Sequence, residues 1–299
     1  MILDIHHADF HNIIPQDAQF ERVASGFDFI EGPIWHPGEK TVIFSDILGN
    51  SLYRWSAKTG VQTLRRNSYM SNGNAYDQQG RIITCEHAAS SLTRTDFANN
   101  GEREVLASHY QDKELNSPND VVVKSDGAIY FTDPTSGRSA GYGVPRDPEL
   151  TFSGVYRLDA ATFELVLLVD DFSKPNGLCF SLDESQLYIN DTDRQHIRVF
   201  DVQPNGTLAN GRLFAELTGD APGVADGMKI DQEGNLYSCG PGGIHVFNPD
   251  GLCLGVIPTP EFATNMVFGD EDLRTLYVTA TTSLYRLSVK IPGQNIWRE

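Results

Sequence analysis

The stretch NDVVVKSDGAIYFTD, residues 119–133, decides the fold. A polar pair opens it, a β-branched run follows, Ser-Asp-Gly makes a turn, and a second apolar run ends on Asp133. Short β-rich runs broken by Gly, Asn, Asp and Pro turns are the pattern of antiparallel strands. The unit recurs as EGPIWHPGEK from Glu31, NGNAYDQQG from Asn72, NGLCFSLDES from Asn176, DGMKIDQEG from Asp226 and NMVFGDEDL from Asn265. Successive openings lie 39 to 57 residues apart, which is the size of a four-stranded propeller blade. Each unit supplies a second strand (TVIFSD, RIITCE, AIYFTD, QLYIND, NLYSCG, TLYVTA) and a third (SLYRW, SLTRT, GVYRL, HIRVF, GIHVF, SLYRL).

Five units offer a fourth strand, and the sixth stops after SLYRLSV. The segment FERVASG, residues 20–26, can complete it, which joins the two ends of the ring and removes an exposed edge. The expected fold is therefore all-β, a six-bladed β-propeller. Residues 1–19 read as a floppy N-terminal extension and residues 20–299 as one propeller domain. The widest interval holds a Gly- and Pro-rich insertion, Thr135 to Thr151, which reads as a loop over one face.

Forty acids against 23 bases give a net charge of −17, which argues against a nucleic-acid or anionic-membrane partner. No apolar run approaches the ~20 residues of a membrane span, and the start MILDIHHADFHN lacks the basic, apolar pattern of a signal peptide. A cytoplasmic location is expected. Cys85, Cys179, Cys239 and Cys253 have no CxxC spacing and read as reduced structural thiols. GxSxG, HExxH, P-loop and dinucleotide motifs are all missing. His6, His7 and His11 precede the first blade and do not read as metal ligands.

In a propeller the first strand of each blade lines the central channel, so the six openings converge on one end of it. Glu31, Asn72, Asn119, Asn176, Asp226 and Asn265 all carry oxygen, and none is basic. Turn preference accounts for Asn-Gly and Asp-Gly pairs. It does not account for Glu31, or for SPNDV, where no glycine follows. Clustered carboxylate and amide oxygens suit a hard divalent cation. With two acids among six openings, a bound ion keeps positive charge with which to polarise a carbonyl or a water. Antiparallel pairing adds a second ring at the ends of the second strands: Asp46, Glu86, Asp133 and Asp191, with His87 beside Glu86.

The runs EGPIWHP, SPNDVVVKSDGAIYFTDP, KPNGLCFSLDESQLYINDT and ADGMKIDQEGNLY occur in that order, and with them the chain resembles the gluconolactonase and senescence-marker-protein (regucalcin-like) family from about Phe20 to Val289. The resemblance implies a six-bladed propeller with a central divalent metal, often calcium, and hydrolysis of aldonolactones. It implies that Glu31, Asn176 and Asp226 are metal ligands, and that Asn119 is a fourth ligand or holds substrate through a water. Asp226 is also the implied general base or nucleophile. Two positions depart from the pattern. Lys229 stands where phosphotriesterase relatives place an acid for a deeper calcium, and Ala88 to Ser91 are small and neutral where basic residues are common.

The expected function is thus a metal-dependent hydrolase that opens a small-molecule sugar lactone, with the metal on the carbonyl oxygen and Asp226 taking the proton of the attacking water. Calcium is favoured as cofactor, with Mg²⁺, Mn²⁺, Zn²⁺ and Fe²⁺ open. Glu86, His87, Asp133 and Asp191 are expected to bind sugar hydroxyls under the 135–151 loop. The alternatives are a phosphotriesterase, disfavoured by Lys229, and a non-catalytic propeller that binds a ligand or protein. Oligomeric state is not legible.

Overall fold

A computed structural model describes residues 1–159 and 161–295. The innermost strands are Ile30–His36, Ser71–Tyr76, Val121–Val123, Pro175–Phe180, Met228–Ile230 and Ala263–Gly269. They touch in cyclic order, the sixth returning to the first. Each heads an antiparallel sheet whose next two strands follow in sequence, so the architecture is a six-bladed propeller. Hydrophobic clusters fill the spaces between neighbouring blades. Between blades six and one, Trp35 stacks on Tyr277 with ring centroids 5.6 Å apart, a geometry that adds to plain area burial.

The expected closure is present. Glu21–Ser25 pairs antiparallel with Ser283–Ser288 as the outer strand of blade six. Residues 1–19, by contrast, are docked. Asp4–Ile5 adds an edge strand to blade five, pairing with Val256 and Gly255. Phe10, Ile13 and Ile14 follow at i, i+3 and i+4 and are at most 2% exposed among residues of blades five and six. That spacing puts all three on one face, so the segment carries its own docking surface. His6 and His7 point outward, to Asp4 and Asp9.

Two features aim the opening residues at the axis. The pairing of first and second strands shifts register between Glu31 and Ile34, Ser71 and Asn74, Pro175 and Leu178, and Ala263 and Asn265. Such bulges bend a strand and re-aim a side chain. In blades three and five the ladder begins only after Asn119 and Asp226. The second feature is a ring of hydrogen bonds from each blade to the next. Ser45 Oγ donates to Asn72 O (2.7 Å), Gly73 N to Asn119 O (2.8 Å) and Thr132 Oγ1 to Asn176 O (2.8 Å). Asn190 Nδ2 donates to Asp226 O, Gly227 N to Thr264 O (2.8 Å) and Thr264 Oγ1 to Ile30 O (2.7 Å). The approach is too close for a side chain at the glycines between: a Cβ on Gly177 would stand 2.3 Å from Asp226 O. The Asn-Gly and Asp-Gly pairs thus serve contact between blades.

Cys85, Cys179 and Cys239 are buried free thiols and Cys253 is half-buried; burial pushes the Cys179 thiol up to about 12. No helix among the described residues is long and apolar enough to cross a membrane.

Because Phe10 is fully buried, Phe10→Ala is expected to lower unfolding free energy by about 3–5 kcal/mol, the usual loss for such a truncation. Denaturant unfolding measures it. An unchanged midpoint would mean that residues 1–19 are not docked in solution.

Candidate metal centre

Glu31, Asn72, Asn119, Asn176, Asp226 and Asn265 are all at most 9% exposed and face the channel at the level of the inter-blade ring. Glu31 Oε2 accepts from its neighbour Gly32 N and from Asn265 Nδ2 at 3.0 Å. Its carboxyl is pushed up to about 7, mainly by burial and then by the nearby charge of Asp120. Asp226 is raised well above the usual carboxylate range, by burial first, then by Glu31 and Asp120. A hydrogen bond from Asn176 partly opposes this rise. Asn176 Nδ2 also donates to Thr192 Oγ1 at 3.0 Å, and Thr192 Oγ1 donates to Ala225 O at 2.7 Å. That fixes the amide nitrogen and leaves Oδ1 for a ligand. Among the described residues the Asn119 carboxamide joins no hydrogen bond, although its backbone is held by Thr132 O at 2.8 Å.

Two buried carboxyls, Asp226 raised by Glu31 and both raised by Asp120, beside amide oxygens with free lone pairs, form a set that is unfavourable as bare anions. A proton or a cation relieves it, and the all-oxygen chemistry fits a hard divalent ion. Among the described residues no group of three or more His, Cys, Asp or Glu is placed to hold a metal, so the donor set here is two carboxylates plus amides.

The second ring behaves differently from expectation. Glu86 is fully buried and engaged by Arg103 Nη2 (2.6 Å), Thr93 Oγ1 (2.9 Å) and Ser91 Oγ (3.2 Å). Asp133 accepts from Asn116 N (2.8 Å) and Ser117 N (2.7 Å). Asp191 accepts from Ser173 N (2.8 Å) and Lys174 N (3.2 Å), and Asp46 from Phe29 N and Gly49 N, both 3.0 Å. The three aspartates cap the loops that lead into the inner strands, where backbone N–H groups lack ladder partners. Glu86, Asp133 and Asp191, expected to bind sugar hydroxyls, are each 0% exposed with both carboxylate oxygens engaged by these donors.

His87 is buried between the 135–151 insertion and Asn72, as a fixed neutral group. Nδ1 donates to Tyr142 O (2.8 Å), and Nε2 accepts from Asn72 Nδ2 (3.1 Å). Burial lowers its pKa to about 4. Tyr142 belongs to the 135–151 insertion and packs edge-on against Phe29, ring centroids 5.2 Å apart. The insertion is pinned by Arg138, whose guanidinium donates to Asn116 O, Leu115 O, Asp147 O and Glu114 Oε2 at 2.6–2.8 Å.

Asp120 was not singled out from the sequence. It is buried in the channel, raised by burial and lowered mainly by Lys229. The available signal was its position: the residue after the opening is Asp in blade three, where four other blades carry glycine. Further along the inner strands, Ile34, Val121, Cys179, Val267 and Lys229 line a separate cavity of about 140 Å³.

A family profile described as the SMP-30/gluconolactonase/LRE-like region matches residues 29–282. The gluconolactonase of Zymomonas mobilis is 31% identical over 94% of this chain and 84% of its own length. A solved gluconolactonase from Xanthomonas campestris superposes with a TM-score of 0.88 at 36% identity, covering 96% of this chain and 94% of its own. A calcium-binding regucalcin from Agrobacterium tumefaciens superposes with a TM-score of 0.78 over 94% of this chain and 98% of its own; at 20% identity that likeness is one of fold.

Ligation requires ionised carboxylates, so a cation must displace the protons that burial holds on Glu31 and Asp226. At pH 6, below the raised value for Glu31, binding should release about one proton or more, and affinity should rise with pH up to about 7. Calorimetry in buffers of different ionisation enthalpy reads the release. Binding with no proton release at pH 6 would refute the assignment.

Proposed function

The chain belongs to the SMP-30/gluconolactonase/LRE-like family, and from that membership we propose that it is a divalent-metal-dependent hydrolase that opens a sugar lactone. It is a carboxylic ester hydrolase of the lactonase kind. The observation that supports this reading most is the buried Glu31–Asp226 carboxyl pair beside the Asn176 and Asn119 amides. Glu31, Asn176 and Asp226 are the proposed ligands, with Asn119 beside them. Calcium, which the named regucalcin binds, is the favoured ion.

When bound, the ion supplies Lewis-acid polarisation of the lactone carbonyl. The chain's own residues do the rest. Asp226 accepts the proton of the attacking water. Glu31 is less suited, because two donors converge on its Oε2. Asn119 offers an unused amide to the lactone or to an ordered water. Asn72 is held by neutral His87 and presents its oxygen at the mouth. Tyr142, 42% exposed on the pinned insertion, limits the size of what enters. A phosphotriesterase with a deeper second cation is disfavoured, because Lys229 Nζ lies 3.3 Å from Asn265 Oδ1 and puts positive charge there already.

Asp226→Asn retains a ligating oxygen and cannot take the proton. Metal content should survive while kcat falls by roughly 10²–10⁴, the usual worth of a general base. Proton release from a panel of lactones, with and without chelator and alongside elemental analysis, measures both. Near-normal turnover in the metal-loaded variant would assign the proton transfer elsewhere, and chelator-resistant turnover would overturn the metal dependence.

A further inference from the structure

Asn265 is one of the six openings, and the proposed chemistry leaves it without a task. Its amide is held on both sides. Oδ1 accepts from Met266 N at 2.8 Å and from Lys229 Nζ at 3.3 Å. Both partners can only donate there, so the oxygen is fixed on that side and the nitrogen must face the other way. The nitrogen meets Glu31 Oε2 at 3.0 Å. Gly32 N donates to the same oxygen, so both N–H donors to this carboxyl fall on Oε2 and neither on Oε1; the hydrogen bond between the Glu31 and Asp226 carboxyls is the contact that a cation would replace. Room for the amide comes from Gly227, next to Asp226: a Cβ there would stand 2.0 Å from Asn265 Cγ. Lys229 is itself held, donating to Met228 O at 2.9 Å.

We propose that Asn265, set by Lys229, is a positioning residue that turns the Glu31 carboxylate so that Oε1 is the oxygen offered to the cation. The inference rests on the metal-site reading above. Its physical content is a relay across three blades: the ammonium of blade five orients the amide of blade six, which orients the carboxylate of blade one. Lys229 has a second conceivable effect, of opposite sign. As a nearby positive charge it repels a divalent ion, and its removal would then tighten binding. Lys229 also favours the ionised form of Glu31, so its removal can weaken binding through charge alone; loss of that weakening in the Asn265→Leu background, and not the sign by itself, separates orientation from simple charge.

Calorimetric titration with Ca²⁺ on the full chain tests this, with thermal midpoints of the metal-free proteins as a folding check. Asn265→Leu should weaken Ca²⁺ binding about 10–100-fold, the usual loss when a residue that orients a ligand is removed. Lys229→Met should weaken it about tenfold. Lys229→Arg, which keeps a donor, should restore most of the affinity. In the Asn265→Leu background, Lys229→Met should produce no further weakening, since the relay is already cut. If Asn265→Leu does not fold, Asn265→Ala takes its place. Tighter binding in Lys229→Met, unchanged binding in the Asn265 variant, or additive weakening in the double variant would each overturn the relay. Asp226→Ala is the control for the reading beneath it. If that variant binds Ca²⁺ as the parent does, the metal site fails and the relay with it; if it loses Ca²⁺ while the Asn265 variant does not, the relay alone fails.

Discussion

The structure depends on a ring of hydrogen bonds in which each blade donates to a backbone carbonyl at the head of the next. Blade-to-blade packing is apolar and non-directional; on its own it sets how closely blades approach and leaves their height along the axis free to slip. The ring removes that freedom, because a carbonyl buried at the channel needs its donor. Ser45, Thr132, Asn190 and Thr264 are the side chains that supply it, and Gly73 and Gly227 supply backbone N–H groups. Once the six heads are level, six oxygen-bearing side chains come together without any local motif. The bulges beside Glu31, Asn72, Asn176 and Asn265 then decide which way those side chains point.

The ring also holds an electrostatic load. Glu31, Asp120 and Asp226 are all buried in one channel, and burial is the largest cause of the rise in each. An ion moved from water into a protein interior loses several kcal/mol of solvation even after relaxation. Two like charges ~4 Å apart repel by about 4 kcal/mol at an effective dielectric of 20. Lys229 acts against this, lowering both Glu31 and Asp120. One lysine cannot neutralise three carboxylates, so the remainder is relieved by a proton or by a cation. The fold can carry this conflict because stability comes from the six apolar clusters between blades, and a strained site is the usual place for function.

The repeat was legible because a period-two strand pattern with a fixed opening register survives in each unit, and closure by residues 20–26 followed from a missing strand in blade six. The six channel positions were legible for the same reason. The partners of the second ring were not legible, because periodicity gives the height of Asp133 or Asp191 along the axis without revealing what each side chain meets. The backbone N–H groups that claim them belong to loops with no pattern. Asn72 and Asn265 were unreadable in role, since the direction of an amide depends on partners from other segments: His87 for one, Lys229 and Glu31 for the other. The docking of residues 1–19 had a signal in Phe10, Ile13 and Ile14, outweighed by the polar residues around them.

Floor and rim are built by different means, and this separates reactivity from selectivity. The floor consists of opening residues fixed by the inter-blade ring, so changing one disturbs its neighbours through shared hydrogen bonds. The rim over blades two and three comes from one insertion, tied down by Arg138 through five acceptors and touching the mouth through Tyr142. Arg138 binds carbonyls, Glu114 and Ser90, none of which belongs to the proposed ligand set. The segment between Arg138 and Arg146 is therefore free to vary in shape while the floor stays as it is. A polar link from rim to floor is His87, which joins Tyr142 O to Asn72 and, with a pKa near 4, keeps its neutral tautomer across the physiological range. The insertion can thus pass its position to a single amide at the mouth while the carboxylates below remain fixed by their own partners.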